Sequence, residues 1–134
     1  MKIQLHAKRD GVTKLGPGTR FVVWTQGCSR SCPGCMTAES QKPNGGFSTD
    51  TKQLAEEIVK SDRHGLTISG GEPFLQAKAL ADLIQEVRKK TDLGVMIYTG
   101  FTLEELQEAD NPDYKLLLEQ CDLLVDGPYM EELN

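Results

Sequence analysis

Three cysteines lie within eight residues of the chain, in the segment Cys28-Ser-Arg-Ser-Cys32-Pro-Gly-Cys35. A cubane iron–sulfur cluster normally takes four thiolate ligands, one for each iron. A loop with three thiolates would leave one iron open to a substrate or a cofactor, while the cluster supplies an electron. The count and the spacing therefore predict a reactive 4Fe–4S site with Cys28, Cys32 and Cys35 as its ligands.

Zinc and disulfide bonds are the alternative uses of these cysteines. A structural zinc site takes two Cys pairs, or one pair with closely spaced histidines, whereas His6 and His64 each stand alone and far from the loop. A disulfide scaffold is expected in a small secreted chain, and we find no signal peptide before these four cysteines. The pattern favours an iron–sulfur site over zinc, and it indicates a reduced, cytoplasmic compartment.

Size and charge limit the function classes further. The chain has 134 residues, enough for a hydrophobic core, and we expect residues 1–134 to form a single domain. Its formal net charge is -5, and its longest basic run is Arg88-Lys89-Lys90. This balance argues against nucleic acid or an anionic membrane as a partner. No apolar stretch approaches the roughly 20 residues of a membrane span.

Hydrophobic periodicity predicts strands that alternate with helices. The predicted strands are Lys2–Lys8, Arg20–Gln26, Leu66–Ser69, Val95–Thr99 and Leu123–Val125. The predicted helices are Thr51–Ser61 with Asp50 and Gln53 at its cap, Phe74–Lys90, a short helix with a Thr102–Glu105 capping box, and Tyr114–Gln120. This order implies right-handed crossovers and a parallel sheet. Because so few strands cannot close a barrel, we expect an α/β fold, an open partial (βα) barrel of about four to five mostly parallel strands.

A second group of candidate site residues follows the predicted strand Leu66–Ser69, and it consists of Gly70, Gly71, Glu72 and Pro73. Glycines let the backbone approach a ligand closely, and Pro suits the first turn of a helix. Backbone carbonyls and the Glu72 carboxylate could receive an ammonium group here, although an ordinary strand-to-helix turn uses the same residue types. Ligands of parallel α/β folds bind at the carboxyl ends of the strands. The cysteine loop, this segment and Thr99-Gly100 all follow strands at that edge.

These motifs carry a family resemblance. The pattern Cys28-x₃-Cys32-x₂-Cys35 with Ile68-Ser69-Gly70-Gly71-Glu72-Pro73 after it resembles the radical S-adenosylmethionine superfamily. The segment Gly16-Pro17-Gly18-x-Arg20 before Gln26-Gly27-Cys28 is similar to the activating enzymes of glycyl radical enzymes. Within that group, Pro33-Gly34 before Cys35 most resembles the activators of anaerobic (class III) ribonucleotide reductase. The resemblance extends over nearly the whole chain, from about Gly16 to Tyr129, and it implies a minimal radical S-adenosylmethionine domain.

The resemblance implies a reaction and a set of ligands. The open iron of the cluster would chelate the amino and carboxylate groups of S-adenosylmethionine. Gly70–Pro73 would bind its methionine part, and Thr99 would lie near its ribose. No catalytic residue is expected beyond these cluster and cofactor ligands. Reductive cleavage would give a 5′-deoxyadenosyl radical, which takes a Cα hydrogen from a glycine of the partner enzyme.

The resemblance also implies partners. The expected ones are a large glycyl radical enzyme, first of all anaerobic ribonucleotide reductase, and an electron donor of the flavodoxin or ferredoxin type. Pyruvate formate-lyase or another glycyl radical enzyme is the alternative partner. A small iron–sulfur electron-transfer module is the alternative from a different class of protein.

Five further residues receive predictions of a more structural kind. Cys121 is expected to be a small buried residue beside the last strand, and His64 is expected to accompany the end of a helix. Trp24 is expected in the core, or else as a wall beside the cofactor. Arg20 is either a solvated strand end or a carboxylate contact. Asp126 is either a turn residue or a group that faces the radical site.

Overall fold

The structure, a computed structural model, describes residues 1–16, 18–26 and 47–126. The predicted cysteine ligands Cys28, Cys32 and Cys35 lie outside these described residues. The described residues comprise the strands and helices that lie on either side of the cysteine segment in the sequence.

The described residues form strands and helices in an alternating order. The strands are β1 (Lys2–Val12), β2 (Arg20–Thr25), β3 (Phe47–Asp50), β4 (Gly65–Gly70), β5 (Gly94–Tyr98) and β6 (Leu123–Val125). The helices are α1 (Thr51–Ser61), a 3₁₀ turn (Pro73–Gln76), α2 (Ala77–Arg88), α3 (Leu103–Glu108) and α4 (Pro112–Gln120). In this part of the chain, no helix combines the length and the apolar character that a membrane span needs.

The strands form one sheet in the order β3-β1-β2-β4-β5-β6. Strands β2, β4, β5 and β6 run parallel, whereas β1 is antiparallel to both β2 and β3. The described sheet thus has six strands, more than the predicted four or five. The curvature of an open barrel stays a prediction.

Two differences explain the higher strand count and the longer first strand. Strand β3 is only four residues long, and its side chains are exposed or partly buried, so it lacks the apolar pattern that predicts a strand. Strand β1 continues to Val12 through Gly11, where φ is 77°. The predicted first strand, Lys2–Lys8, ended too early, because pairing with β2 extends the strand to Val12 through a register shift.

The hydrophobic core lies between one face of the sheet and helices α1, α2 and α4. Alternate strand residues point into this core, as the two-residue period of a strand requires. The strand residues are Ile3, Leu5, Phe21, Val23, Leu66, Ile68, Val95 and Ile97, and the helix residues include Leu54, Ile58, Leu80, Leu83, Ile84, Val87 and Leu117. The opposite face of β2, β4 and β5 carries Arg20, Val22, Trp24, Thr67, Ser69, Met96 and Tyr98.

Local signals at the first and third helices gave different outcomes. Helix α1 has its predicted bounds and has Asp50 at its N-cap position, but the Asp50 carboxylate makes no cap hydrogen bond and lies 3.1 Å from the amino group of Met1. The capping box of α3 is confirmed. The Thr102 hydroxyl accepts from the Glu105 N–H at 3.1 Å, and a Glu105 carboxylate oxygen accepts from the Thr102 N–H at 2.9 Å.

The other two helices begin at different residues from those predicted. The predicted helix at Phe74 starts as a 3₁₀ turn, and α2 begins at Ala77. Helix α4 begins at Pro112 and not at Tyr114. Pro112 occupies the first turn, where the missing N–H has no cost, and the Asn111 side chain caps this turn by accepting from the Asp113 N–H at 2.9 Å.

Candidate functional site

The Glu72 carboxylate lies where the loops after β4 and β5 meet. The residue is only 1% exposed. Its Oε2 accepts from the hydroxyl of Thr99 at 2.7 Å and from the N–H of Phe74 at 3.1 Å. Its Oε1 accepts from the N–H of Gly100 at 2.8 Å. The structure therefore brings together two predicted site residues, Glu72 and Thr99. Charge-assisted hydrogen bonds hold the Glu72 carboxylate in place.

Gly70 is required by the packing of two strands. Its φ is +112°, and a Cβ built on it would overlap the backbone N and lie 2.6 Å from the backbone O of Thr25 in β2. Any other residue would suffer both backbone strain and this overlap. The structural turn, which the sequence left open as an alternative, thus accounts for Gly70. The contact of Gly71 with a ligand stays a prediction.

The end of β2 and the turn after β4 form one continuous edge. The N–H of Gly71 donates to the carbonyl of Thr25 at 2.9 Å, and Thr25 pairs with Gly70 in register. Gln26 is 4% exposed, and its N–H donates to the carbonyl of Gln4 at 3.1 Å. Cys28 follows Gln26 by two residues in the sequence. The chain thus enters the predicted cysteine loop directly beside the Gly70–Pro73 segment.

Gln76 was missed by the sequence interpretation. Its side-chain amide bonds to both backbone groups of Gln4 and to the carbonyl of Gln26. No sequence signal distinguishes it from any other glutamine at a helix start, because its partners lie 72 and 50 residues away.

Arg20 is buried at the amino end of β2, at the far end of the strand from Thr25. It is 6% exposed, so the interpretation as a solvated strand end was wrong. Its Nε donates to the Thr67 hydroxyl at 2.7 Å, and an Nη2 hydrogen goes to the Leu66 carbonyl at 3.0 Å. Burial lowers the pKa of the guanidinium from its ordinary value. Although Arg20 belongs to a motif of the resemblance, it lies away from the Glu72 edge.

Trp24 and His64 do not have the structural roles expected first, and the alternative for Trp24, a wall beside the cofactor, stays a prediction. Trp24 is only partly buried and lies on the sheet face opposite the helices, so it is not a core residue. His64 accepts a hydrogen bond at Nδ1 from the N–H of Thr19, at 3.0 Å. Helix α1 ends instead at Asp62, whose φ of 51° is left-handed. His64 therefore secures the loop before β2, and it does not end the helix.

Two residues beside β6 have structural partners. Asp126 Oδ2 accepts from the N–H of Leu103 at 2.8 Å and so caps the first turn of α3. Cys121 is partly buried, less than predicted, and its thiol lies 3.0 Å from the Leu123 carbonyl. Burial raises the pKa of this thiol. Among the described residues, no group of three or more His, Cys, Asp or Glu could hold a metal ion, so the predicted cluster ligands remain those of the cysteine segment.

Comparisons with known proteins agree with one another. Residues 14–134 match the family described as a 4Fe-4S single cluster domain. An anaerobic ribonucleoside-triphosphate reductase-activating protein of Vibrio cholerae is 32% identical over 126 residues, which are 87% of this chain and 78% of the relative. The protein of the same name from Escherichia coli K12 is 30% identical, over 89% of this chain and 80% of the relative. That of phage T4 is 28% identical, over 88% and 76%.

These matches span most of both partners in each comparison, and the family match includes the cysteine segment and the Glu72 edge. The chain therefore belongs to the family of the anaerobic ribonucleoside-triphosphate reductase-activating proteins, and it carries a 4Fe-4S single cluster domain.

Proposed function

We propose that this chain is a radical S-adenosylmethionine enzyme that generates a glycyl radical on an anaerobic ribonucleotide reductase. The partner is suggested by the names of the relatives. The cofactors are suggested by the family match and by the three closely spaced thiolates. The proposal includes a reduced, cytoplasmic setting. It also includes a flavodoxin- or ferredoxin-type donor, because the reaction consumes one electron.

The donor chemistry of the cysteine segment fits an iron–sulfur cluster. Thiolates are the ligands of such clusters, and Cys28, Cys32 and Cys35 provide one fewer than a cubane takes. With the cluster bound, one electron and S-adenosylmethionine would give methionine and a 5′-deoxyadenosyl radical, and hydrogen transfer from a partner glycine would give 5′-deoxyadenosine and a glycyl radical. The remaining work of the chain is to hold and orient the sulfonium substrate.

The hydrogen-bonded group around the Glu72 carboxylate is the single observation that best supports this binding role. A carboxylate has about four acceptor positions, and the N–H groups of Phe74 and Gly100 and the hydroxyl of Thr99 use three of them. Glu72 thereby fixes the turn in which Gly70 and Gly71 are partly exposed. We assign the methionine amino group to this turn, with the Gly70 and Gly71 carbonyls as acceptors of its N–H hydrogens and Glu72 as the negative charge behind them.

A fixed turn has an energetic advantage for such a ligand. Ordering a loop on binding has an entropic cost, and a site that is already ordered avoids it. The N–H groups of the amino nitrogen would also meet a negative charge in a poorly solvated place, where electrostatic attraction is stronger than in water. In this arrangement Thr99 acts on the ligand through Glu72, and its predicted proximity to the ribose is a separate expectation.

Anaerobic reconstitution and electron paramagnetic resonance (EPR) test the proposal. We expect about four irons per chain, a signal on reduction, and a change of that signal when S-adenosylmethionine is added. With dithionite or reduced flavodoxin, the cofactor and an anaerobic ribonucleotide reductase, a glycyl-radical doublet should appear. Bound zinc without iron would contradict the proposal. If the doublet appeared only with an enzyme of the pyruvate formate-lyase type, that enzyme would be the partner instead of the reductase.

A further inference from the structure

The side chain of Gln76 joins three segments that are distant in sequence. Its Oε1 accepts from the Gln4 N–H at 2.7 Å, and its Nε2 donates to the Gln4 carbonyl at 2.7 Å. The same Nε2 donates to the Gln26 carbonyl at 3.2 Å. The amide thus pairs with Gln4 as a neighbouring strand residue would, and it extends the pairing to the end of β2.

The position of these bonds distinguishes Gln76 from an ordinary surface glutamine. Gln76 is the last residue of the 3₁₀ turn, four residues after Glu72, and Gln26 precedes Cys28 by two residues. Gln4 connects the two, because its carbonyl also accepts from the Gln26 N–H at 3.1 Å. One amide therefore links the entrance of the cysteine segment to the turn that carries Glu72.

We propose that Gln76 is a positioning residue that holds Gln26, from which the chain enters the cysteine segment, in a fixed position relative to the Glu72 turn. The inference rests on the proposed function, in which both segments contact one molecule of S-adenosylmethionine, the first through the cluster and the second directly. Two contact points on one ligand bind it more tightly when their separation is fixed before the ligand arrives. Ordering the glutamine side chain has an entropic cost, and its hydrogen bonds offset that cost in the folded protein.

The alternative is a purely structural role, in which Gln76 completes the hydrogen bonding at the sheet edge. That role would lower the stability of the fold without changing the cofactor concentration at which the folded protein responds. The two roles are separated by the variants Gln76→Leu and Gln76→Glu, with Gln120→Leu as the matched control. Gln120 is also partly buried, and its Oε1 accepts from Arg88 Nη1 at 3.2 Å at the other end of the sheet.

The first measurement is the S-adenosylmethionine concentration that gives half of the EPR change of the reduced, reconstituted protein. We expect a rise of about tenfold in Gln76→Leu, the size expected for the loss of one to two net hydrogen bonds. Iron content should stay near the parental value, and Gln120→Leu should shift the concentration less than about twofold. Equal shifts in Gln76→Leu and Gln120→Leu would overturn the inference.

The second measurement is amide hydrogen exchange without cofactor, so it does not depend on the proposed function. In Gln76→Leu, exchange should accelerate at the Gln4 N–H, which loses its acceptor, and at the Gln26 N–H, which keeps its Gln4 acceptor but loses the tether of Gln76 Nε2 to the Gln26 carbonyl. In Gln76→Glu, the Gln4 amide should stay protected by the remaining acceptor, while the Gln26 amide accelerates. If the parent shows no EPR response to the cofactor, the proposed function fails, and the exchange result then decides only whether Gln76 holds Gln26 beside the Glu72 turn, the part of the inference that does not need the cofactor. Unchanged exchange at Gln26 in Gln76→Leu would overturn it.

Discussion

Two buried polar clusters lie at opposite ends of the parallel strands, and they differ in their neighbours. At the amino end, the Arg20 guanidinium donates to the Thr67 hydroxyl and to backbone carbonyls. At the carboxyl end, the Glu72 carboxylate accepts from the Thr99 hydroxyl and from two backbone N–H groups. Within the described residues, each cluster thus combines a buried charge, a threonine and backbone groups whose polarity is complementary to that charge.

The amino-end cluster is enclosed by the chain's own atoms. A Cβ on Gly65 would lie 2.5 Å from Arg20 Cζ, and one on Gly16 would lie 2.8 Å from Arg20 Cδ. The Thr67 hydroxyl in turn donates to the Leu15 carbonyl at 2.7 Å. The carboxyl-end cluster instead adjoins Gln26, where the chain enters the cysteine segment. A buried charge therefore does not by itself identify a ligand site, whereas the chain segments that meet beside it do.

The largest effect should come from the three cysteines that are predicted to bind the iron–sulfur cluster. Replacing Cys28, Cys32 or Cys35 with Ala removes one of three thiolates, so the reconstituted protein should lose the EPR signal and most of about four irons per chain. Cys121→Ala is the control. It should keep the cluster, at a stability cost of about 1 kcal/mol for a small packing group. A cluster lost in Cys121→Ala, or kept in the other three variants, would contradict the assignment.

Substitutions of Gly70 and Gly71 should separate an effect on folding from an effect on ligand binding. Gly70→Ala introduces a Cβ against the backbone of Thr25 at a positive φ, so we expect its free energy of unfolding to fall by about 3 kcal/mol or more. Gly71→Val should instead weaken S-adenosylmethionine binding while the iron content stays near normal. Urea unfolding and titration calorimetry measure the two effects. If Gly71→Val binds the cofactor as the parent does, the glycine pair is only a turn.

The two threonines allow a matched comparison of the clusters. Thr67→Val and Thr99→Val each remove a buried hydroxyl with little change in shape, so each should lower the free energy of unfolding by about 1–3 kcal/mol. Only Thr99→Val should also raise the cofactor concentration needed for the EPR change, because Thr99 holds Glu72. An equal cofactor effect in Thr67→Val would mean that the two ends do not differ in function.

The smallest effect should come from an exposed ion pair near the amino-end cluster. The Arg63 guanidinium lies 2.6 Å from the Asp10 carboxylate, and this hydrogen bond lowers the pKa of Asp10. A carboxyl with a lowered folded pKa stabilises the fold above its unfolded pKa of about 3.9. That stabilisation is lost as the pH falls through the folded pKa.

Thermal unfolding of Arg63→Gln checks this pH dependence. We expect a slightly lower Tm than that of the parent at pH 6, and no difference once the pH has fallen below the folded pKa of Asp10. High salt should reduce the difference at pH 6, because the pair is exposed. A difference that persists in strong acid, or that exceeds the effect of Thr67→Val, would contradict the expectation.

Local sequence signals determined much of the framework. The bounds of α1, the capping box of α3 and the strand β6 were predicted correctly, because periodicity and caps involve residues within a few positions of one another. The order of β2, β4, β5 and β6 with their helices also indicated the parallel part of the sheet. The same order placed Glu72 and Thr99 at one edge, because the carboxyl ends of parallel strands lie together.

Other features were decided only by the tertiary structure. Strand β3 forms because it pairs with β1, and its own residues give no strand pattern. Arg20 is buried because Thr67 and backbone carbonyls surround it. Gly70 is a glycine because Thr25 packs against it.

Gln76 shows most clearly what local sequence patterns do not predict. The sequence shows which residue types are close together along the chain, including three cysteines and a Gly-Gly-Glu-Pro turn. The bonds of Gln76 join residues that are 50 and 72 positions apart. Such partners are chosen by the packing of the whole sheet, because hydrogen bonds require atoms within about 3 Å of each other and local patterns do not fix distances between remote segments.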